Sequence, residues 1–380
     1  LGVYSEVRTL SVLRTAMLPL RLRRVSGHEG RLNDALFQPA AARPATDAHQ
    51  TLVFFGGDVQ DYPEVMQAHR DNKNYLKWNL ENTARMLGHS FPNKHILVVR
   101  PSRVEYKSFS CYDNFVPSNN AGVPEHTPTH SALHHLERLL QGVTSRVKSL
   151  PTSEILEAIA SVSLPDEVDI EDLHVSDTLR WKLRVRARNS KCQWLLFFYE
   201  KIWISLRCNL VFCDISILHW TMNLSSEAEP LWWRDRLSLD ESRLTLVGFS
   251  KGCVVLNQLI YEFHYTKTLT PDDEHTMRFI ERISDMYWLD GGHAGGKNTW
   301  ITSRSLLETL TRLNVNMFIH VSPYQVQDEG RPWIGREERA FTNLLKKLGA
   351  KTRHFHIIIC HIHYFIYNVY LLNVLLLLIT

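Results

Sequence analysis

The sequence predicts an α/β fold built on a mainly parallel sheet with helices on both faces. Two observations carry this. Short apolar runs alternate along the chain with segments whose apolar residues recur at helical spacing. The runs are too short and too uniformly apolar for strands with one wet face, so both faces are expected to be covered. At 380 residues with 44% hydrophobic and 22% charged, the chain can bury a sizeable core, and wholesale disorder is excluded.

The elements follow in order. Thr51 to Phe55 reads as a strand stopped by Gly56-Gly57. Residues 78–91 read as a helix, because Leu80, Ala84, Leu87 and Phe91 share one face. His95 to Arg100 is the next strand, ended by Pro101, and a polar stretch 101–128 follows. A helix over 131–147 carries Leu133, Leu136, Leu140, Val143 and Val147 on one side. Residues 150–240 lose the rhythm and read as an insertion before the strand Leu244 to Gly248. A helix from Lys251 to Phe263, a strand Met286 to Leu289, a helix 303–313, a strand Asn316 to Val321 and a helix 336–348 complete the pattern. The domain is therefore expected over 50–356.

The ends have a different character. Residues 1–25 hold five arginines and a single acid, Glu6, the composition of a transit segment or of a basic tail. With the Pro/Ala-rich stretch Pro39 to Thr46, residues 1–46 are expected to be leader and linker, outside the fold. From Phe355 to Thr380 there is no Asp, Glu, Lys or Arg. Such a tail, 357–380, has the texture of translated non-coding sequence, as does the patch Cys192 to Asn223. Its length would also span a bilayer, and without that role no membrane association is expected.

Composition excludes some functions. Lys and Arg number 43 against 40 Asp and Glu, so no nucleic-acid partner is expected. The six cysteines form no C-x-x-C pair, which argues against a structural zinc. The His-x-His pairs at 354/356 and 361/363 lack an accompanying carboxylate set, so no metal is expected there either. Gly291 to Gly296 lacks the Lys-Ser/Thr ending of a nucleotide-binding loop.

One motif carries chemistry. Gly248-Phe249-Ser250-Lys251-Gly252 is a weak pattern alone, but it follows an apolar strand directly and opens an amphipathic helix. That is the setting of a nucleophile elbow. There a serine sits on a tight turn with its hydroxyl above the sheet, and glycines two before and two after make room. The alternative is a plain strand–helix turn. The oxyanion donors would be the backbone N–H of Lys251 and that of Gly57, on the loop closing the first strand. The acid should come next in the chain. Asp328 follows the second strand after the elbow and is preferred; Asp290 follows the first and is the alternative. The candidate base is His356, with His354, His361 and His363 beside it, and His293 on the glycine-rich loop is a separate candidate. This constellation needs no cofactor. Lys251 is expected to face solvent from the first helical turn.

Several segments extend the reading. Phe55-Gly56-Gly57-Asp58-Val59-Gln60-Asp61-Tyr62, Phe109-Ser110-Cys111-Tyr112-Asp113-Asn114-Phe115-Val116, Leu246 to Leu259, Met286 to His293, and Pro323-Tyr324-Gln325-Val326 with Trp333-Ile334-Gly335 resemble one family. It is the vertebrate mitochondrial family named for open reading frame sixty-nine of human chromosome two. The resemblance covers 52–147 and 240–350. It implies an α/β-hydrolase-like fold, a mitochondrial (matrix) location and a link to respiratory-chain function and energy metabolism. It also implies glycogen branching enzyme as a candidate partner. Members of that family end in a short polar segment with an Asn-His-Phe motif, which the apolar tail replaces here. The expected function is a serine esterase or thioesterase acting on a small acyl substrate. The alternative is a non-catalytic hydrolase-fold partner or regulator in mitochondria.

Overall fold

Strands with apolar residues on both faces need cover on both faces, and the sheet supplies the frame for it. The computed structural model describes residues 19–43, 49–119, 122–160 and 231–356. Its main sheet has eight strands: β1 (Leu20–Ser26), β2 (Leu32–Gln38), β3 (Gln50–Phe55), β4 (His95–Val99), β7 (Arg243–Phe249), β8 (Ile283–Leu289), β9 (Asn316–Val321) and β10 (Thr352–His356). They run side by side in the order β1-β2-β4-β3-β7-β8-β9-β10. β2 is antiparallel to both its neighbours, and every other pairing is parallel. This is the α/β-hydrolase sheet, with β7 as its fifth strand in chain order within the sheet. A two-stranded hairpin, β5 (Arg103–Glu105) with β6 (Phe109–Cys111), stands apart from it.

Alternate residues of the central strands feed two cores. Leu52 and Phe54 of β3 join Ile96 and Val98 of β4 and Val247 of β7 on one face. Leu80, Ala84 and Leu87 of helix α2 (Leu80–Ser90) cover them. Asn79 starts that helix by accepting a hydrogen bond from Asn82 N–H at 2.9 Å. The residues between, Val53 and Phe55, point the other way and are equally buried. There Phe55 meets Tyr112 and Phe115 edge-on. That face is covered by α3 (Ala132–Ser149) and α5 (Cys253–Leu269). α5 is buried through most of its circumference, which matches its unbroken apolar start. The remaining helices are α1 (Pro63–Gln67), α4 (Thr152–Ala160), α6 (Glu274–Glu281), α7 (Arg304–Arg312), α8 (Pro323–Val326) and α9 (Pro332–Lys347).

The expected leader boundary is corrected by β1 and β2. Residues 20–38, assigned by composition to the leader, are two strands of the main sheet. In β1 the arginines alternate with Leu20, Leu22 and Val25, which are buried, while Arg21, Arg23 and Arg24 are exposed. An edge strand with one wet face reads as an Arg/Leu mixture, and composition cannot separate it from an amphipathic leader. A bulge at Arg24, in the left-handed region at φ 52°, interrupts the alternation, which masks the strand period further.

The insertion is narrower than its expected 150–240 bounds. α4 is described at its start, and at its far end Trp233 packs edge-on against Phe37 of β2 at 5.7 Å. The patch 192–223, the leader to residue 18 and the tail 357–380 lie outside the described residues. All described residues but Leu231 and Trp232 belong to one compact unit. Among the described residues, no helix is long and apolar enough to cross a membrane.

Candidate active site

β7 ends at Phe249, and the chain reverses through Ser250-Lys251-Gly252 into α5. Ser250 sits at φ 50°, in the left-handed region that a residue with a Cβ avoids. The flanking glycines explain how the turn closes. A Cβ on Gly248 would lie 2.8 Å from Cys253 Cα, and one on Gly252 would enter the Phe55 carbonyl. Both obstacles are backbone, so neither can yield. The elbow therefore brings the end of β3 and the start of α5 into direct contact, with the serine held above them.

The loop after β3 lies against the serine. A Cβ on Gly57 would be 3.0 Å from Ser250 Cβ. The loop is held from three sides. Tyr112 donates its hydroxyl to the Gly56 carbonyl at 2.9 Å, and Ser110 Oγ donates to the Gly57 carbonyl at 2.9 Å. Ser110 N–H donates to Asp58 Oδ1 at 2.8 Å. The two segments that resemble family motifs around residues 55–62 and 109–116 are thus one hydrogen-bonded assembly. Gly57 N–H, the expected oxyanion donor, donates to Gln60 Oε1 at 2.8 Å. For Gly57 to serve an oxyanion, that carboxamide has to turn away.

The two acid candidates differ sharply. Asp328 is partly exposed; it accepts from Arg331 Nε at 2.7 Å and from Gly330 N–H at 2.8 Å. The Arg331 guanidinium holds its carboxyl below the usual range. That is a loop-capping ion pair, and its position after β9 did not reveal it. Asp290 directly follows β8, at φ 54°, and is 1% exposed. It accepts from Ser322 N–H at 2.8 Å and Ser322 Oγ at 2.7 Å, so it bridges the ends of β8 and β9. Burial pushes its carboxyl up to about 7, against the opposing pull of the two Ser322 donors. The next residues return to the elbow, with Gly292 N–H donating to the Ser250 carbonyl at 3.3 Å.

Among the described residues no side chain hydrogen-bonds the Ser250 hydroxyl. His293 is close to the elbow, but its ring is engaged twice: Nδ1 accepts from Gly295 N–H at 3.0 Å, and Nε2 faces the Asn298 carbonyl at 3.2 Å. Burial first, then the Lys251 charge, pushes it down to about 4, although the Asn298 bond acts the other way. His356 ends β10, paired in parallel register with Val321, the residue before Ser322. His361 and His363 lie outside the described residues. Among the described residues no group of three His, Cys, Asp or Glu is arranged to hold a metal.

Lys251 corrects an expectation. It is 3% exposed instead of solvent-facing, and its ammonium donates to the Gly122 carbonyl. Burial pushes its pKa down, while Asp58 pulls it up; burial pushes Asp58 up in turn. Each group's charge thus offsets part of the burial penalty on the other. The sequence held no sign of the Lys251–Gly122 bond, because Gly122 sits in a polar stretch far from the motif. Glu262 was missed too. From α5 it accepts Ala132 N–H at 2.7 Å and Leu133 N–H at 2.8 Å, capping α3 from outside.

The family model described as C2orf69 matches residues 21–351. The human mitochondrial protein C2orf69 is 32% identical over 356 residues, 91% of this chain and 82% of the relative. The mouse homologue is 35% identical over 330 residues, 84% of this chain and 76% of the relative. The zebrafish homologue is 32% identical over 346 residues, 88% and 79%. Among solved structures, esterase Est22 aligns over 96% of this chain and 81% of its own, at 13% identity and a TM-score of 0.40. Brefeldin A esterase aligns over 99% and 76%, at 9% identity and a TM-score of 0.37.

Proposed function

The chain belongs to the C2orf69 family of mitochondrial proteins, and from the geometry at its elbow we propose that it is a serine hydrolase of ester or thioester bonds. The observation that carries this is Ser250 at φ 50°, fixed between two glycines whose places admit no side chain. A strained backbone at a would-be nucleophile is retained only where the surrounding structure enforces it. Ser250 Oγ attacks the acyl carbonyl; a histidine takes its proton and returns it to the departing alcohol or thiol; water then releases the acid. The Lys251 N–H and an amide of the Gly56–Asp58 loop hold the oxyanion. Asp290 is the orienting acid, because it is buried and carries an aimed donor set, whereas Asp328 is spent on Arg331. The histidine is His356 or one that follows it, because His293 has both nitrogens engaged. The substrate class is a small acyl ester or thioester in the mitochondrial matrix.

The test is fluorophosphonate labelling of the full chain beside Ser250→Ala. Labelling that disappears in the variant supports an activated serine; no labelling of either sinks the hydrolase reading.

A second reading, a hydrolase-fold partner without turnover, is favoured by one observation. Among the described residues the Ser250 hydroxyl has no hydrogen-bonding side chain, and the Gly57 amide is already used. Glycogen branching enzyme and the respiratory-chain link suggested by the sequence resemblance belong with this reading. Co-purification with that enzyme, unchanged by Ser250→Ala, is its signature.

A further inference from the structure

The β5–β6 hairpin leaves the sheet just after β4, on the edge that carries Ser250. Its turn runs through Tyr106 at φ 49° and Lys107 at φ 58°, closed by Ser108 N–H donating to the Glu105 carbonyl at 2.9 Å. Both central positions of such a turn suit Asn and Gly; a tyrosine and a lysine are strained there. The tip is nonetheless fixed. Asn72 Nδ2 donates to the Lys107 carbonyl at 2.7 Å, and Val59 N–H donates to the Ser108 carbonyl at 2.7 Å.

The result is an aromatic tip held out in water. Tyr106 is 76% exposed and Phe109 40%, with their rings edge-on at 6.4 Å. The segment that anchors the tip adds charge: Arg70, Lys73 and Lys77 are exposed, as is Lys107. The two acids here are occupied, Asp71 by Arg70 and Glu105 by Arg103. Lys73 and Lys107 hold no ion pair among the described residues.

We propose that this tip docks the protein on an anionic lipid bilayer. Tyr106 and Phe109 enter the headgroup boundary, where amphipathic rings are favoured, and Lys73 and Lys107 pair with lipid phosphates. Two rigid exposed rings flanked by unpaired ammonium groups complement that surface in shape and charge. The inference stands whether or not Ser250 turns over substrate. Docking also has a consequence for the elbow: Ser110 of the same hairpin bonds the loop beside Ser250, so docking sets that loop at the membrane surface.

The test is co-sedimentation of the full chain with vesicles of phosphatidylglycerol in phosphatidylcholine, beside vesicles of phosphatidylcholine alone. Binding should favour the anionic vesicles. Lys73→Glu and Lys107→Glu should each weaken it about fivefold or more, and Tyr106→Ser with Phe109→Ser should weaken it while leaving circular dichroism unchanged. Tyr106→Trp provides a second readout, an emission blue shift on adding anionic vesicles, measured against the wild-type spectrum. Equal sedimentation with both vesicles, binding that survives all these substitutions, no sedimentation, or a Tyr106→Trp difference spectrum that does not shift would each overturn the proposal.

Discussion

Asp290 accepts two hydrogen bonds from Ser322, one from its N–H at 2.8 Å and one from its hydroxyl at 2.7 Å, so a single residue after β9 fixes the carboxyl that follows β8. If Asp290 orients the base, its ionised form is the working one, and Ser322 is what makes ionisation possible in a buried site. Hydrogen bonds to a charged acceptor are worth about 1.5–3 kcal/mol, or roughly one to two pH units. Ser322→Ala should therefore move the acid limb of labelling up in pH by at least about one unit. A pH–rate profile of fluorophosphonate labelling reads it; an unmoved limb means that Asp290 is structural.

The same carboxyl makes stability depend on pH, with a definite sign. Its folded pKa, about 7, lies above the ordinary 3.8, so the folded state holds a proton that the unfolded chain has released. Stability from this group is fully present below about pH 4 and is lost as pH rises towards about 7. Asp290→Asn should remove that slope. Thermal unfolding at several pH values in this window checks it: the wild type should lose more of its melting temperature across the window than the variant.

How much of this was legible beforehand depends on the range of the contact. β3, β4, β7, β8 and β9 were readable because burial on both faces leaves each a short, mostly apolar run, a purely local signature. The elbow was readable because Gly248 and Gly252 are dictated by backbone within a few residues or across one strand pair. Asp328 was preferred over Asp290 by strand order alone, because what separates them is burial and a partner 32 residues away. β1 was hidden by its arginines, and α6 by having only eight residues, too few for a period to show. The fate of Lys251 was set by Gly122, 129 residues before it, and no local pattern carries that.

Glu262 does for α3 what its own first residues do not. Ser131 is in the left-handed region and makes no side-chain cap, so the Ala132 and Leu133 amides depend on Glu262. Glu262→Ala leaves two buried donors unpaired, at about 1–3 kcal/mol for each. Glu262→Gln keeps one acceptor and should fall about midway. Urea midpoints of the three proteins should order as wild type, Gln, Ala; equal midpoints would show that water takes over the cap.

The strap on the loop beside Ser250 predicts a split between folding and reactivity. Tyr112→Phe removes the donor to Gly56, and Ser110→Ala the donor to Gly57, without changing the packing of either side chain by much. Each should reduce stability by only about 1 kcal/mol. The Gly56–Asp58 loop would gain freedom at the point where an oxyanion amide has to be held still, and one misplaced donor costs about a hundredfold or more in rate. Labelling in both variants should therefore slow by about tenfold or more, with melting temperatures nearly unchanged. Labelling that tracks stability instead would show that the strap only holds the fold.

Ser250 itself offers the sharpest contrast between stability and use. Its left-handed backbone costs about 1–2 kcal/mol with any Cβ present. Ser250→Ala keeps that cost and should leave stability close to the wild type. Ser250→Gly relieves the strain but adds freedom to the unfolded chain, an opposing effect of about 0.5–1 kcal/mol. The balance should leave the glycine variant as stable as the wild type or more so, by up to about 1 kcal/mol, while both variants lose all labelling. A serine kept where a glycine folds at least as well is a serine retained for its hydroxyl. A glycine variant clearly less stable than the alanine one would instead mean that the Ser250 side chain packs the turn, and the argument from strain to chemistry would fail.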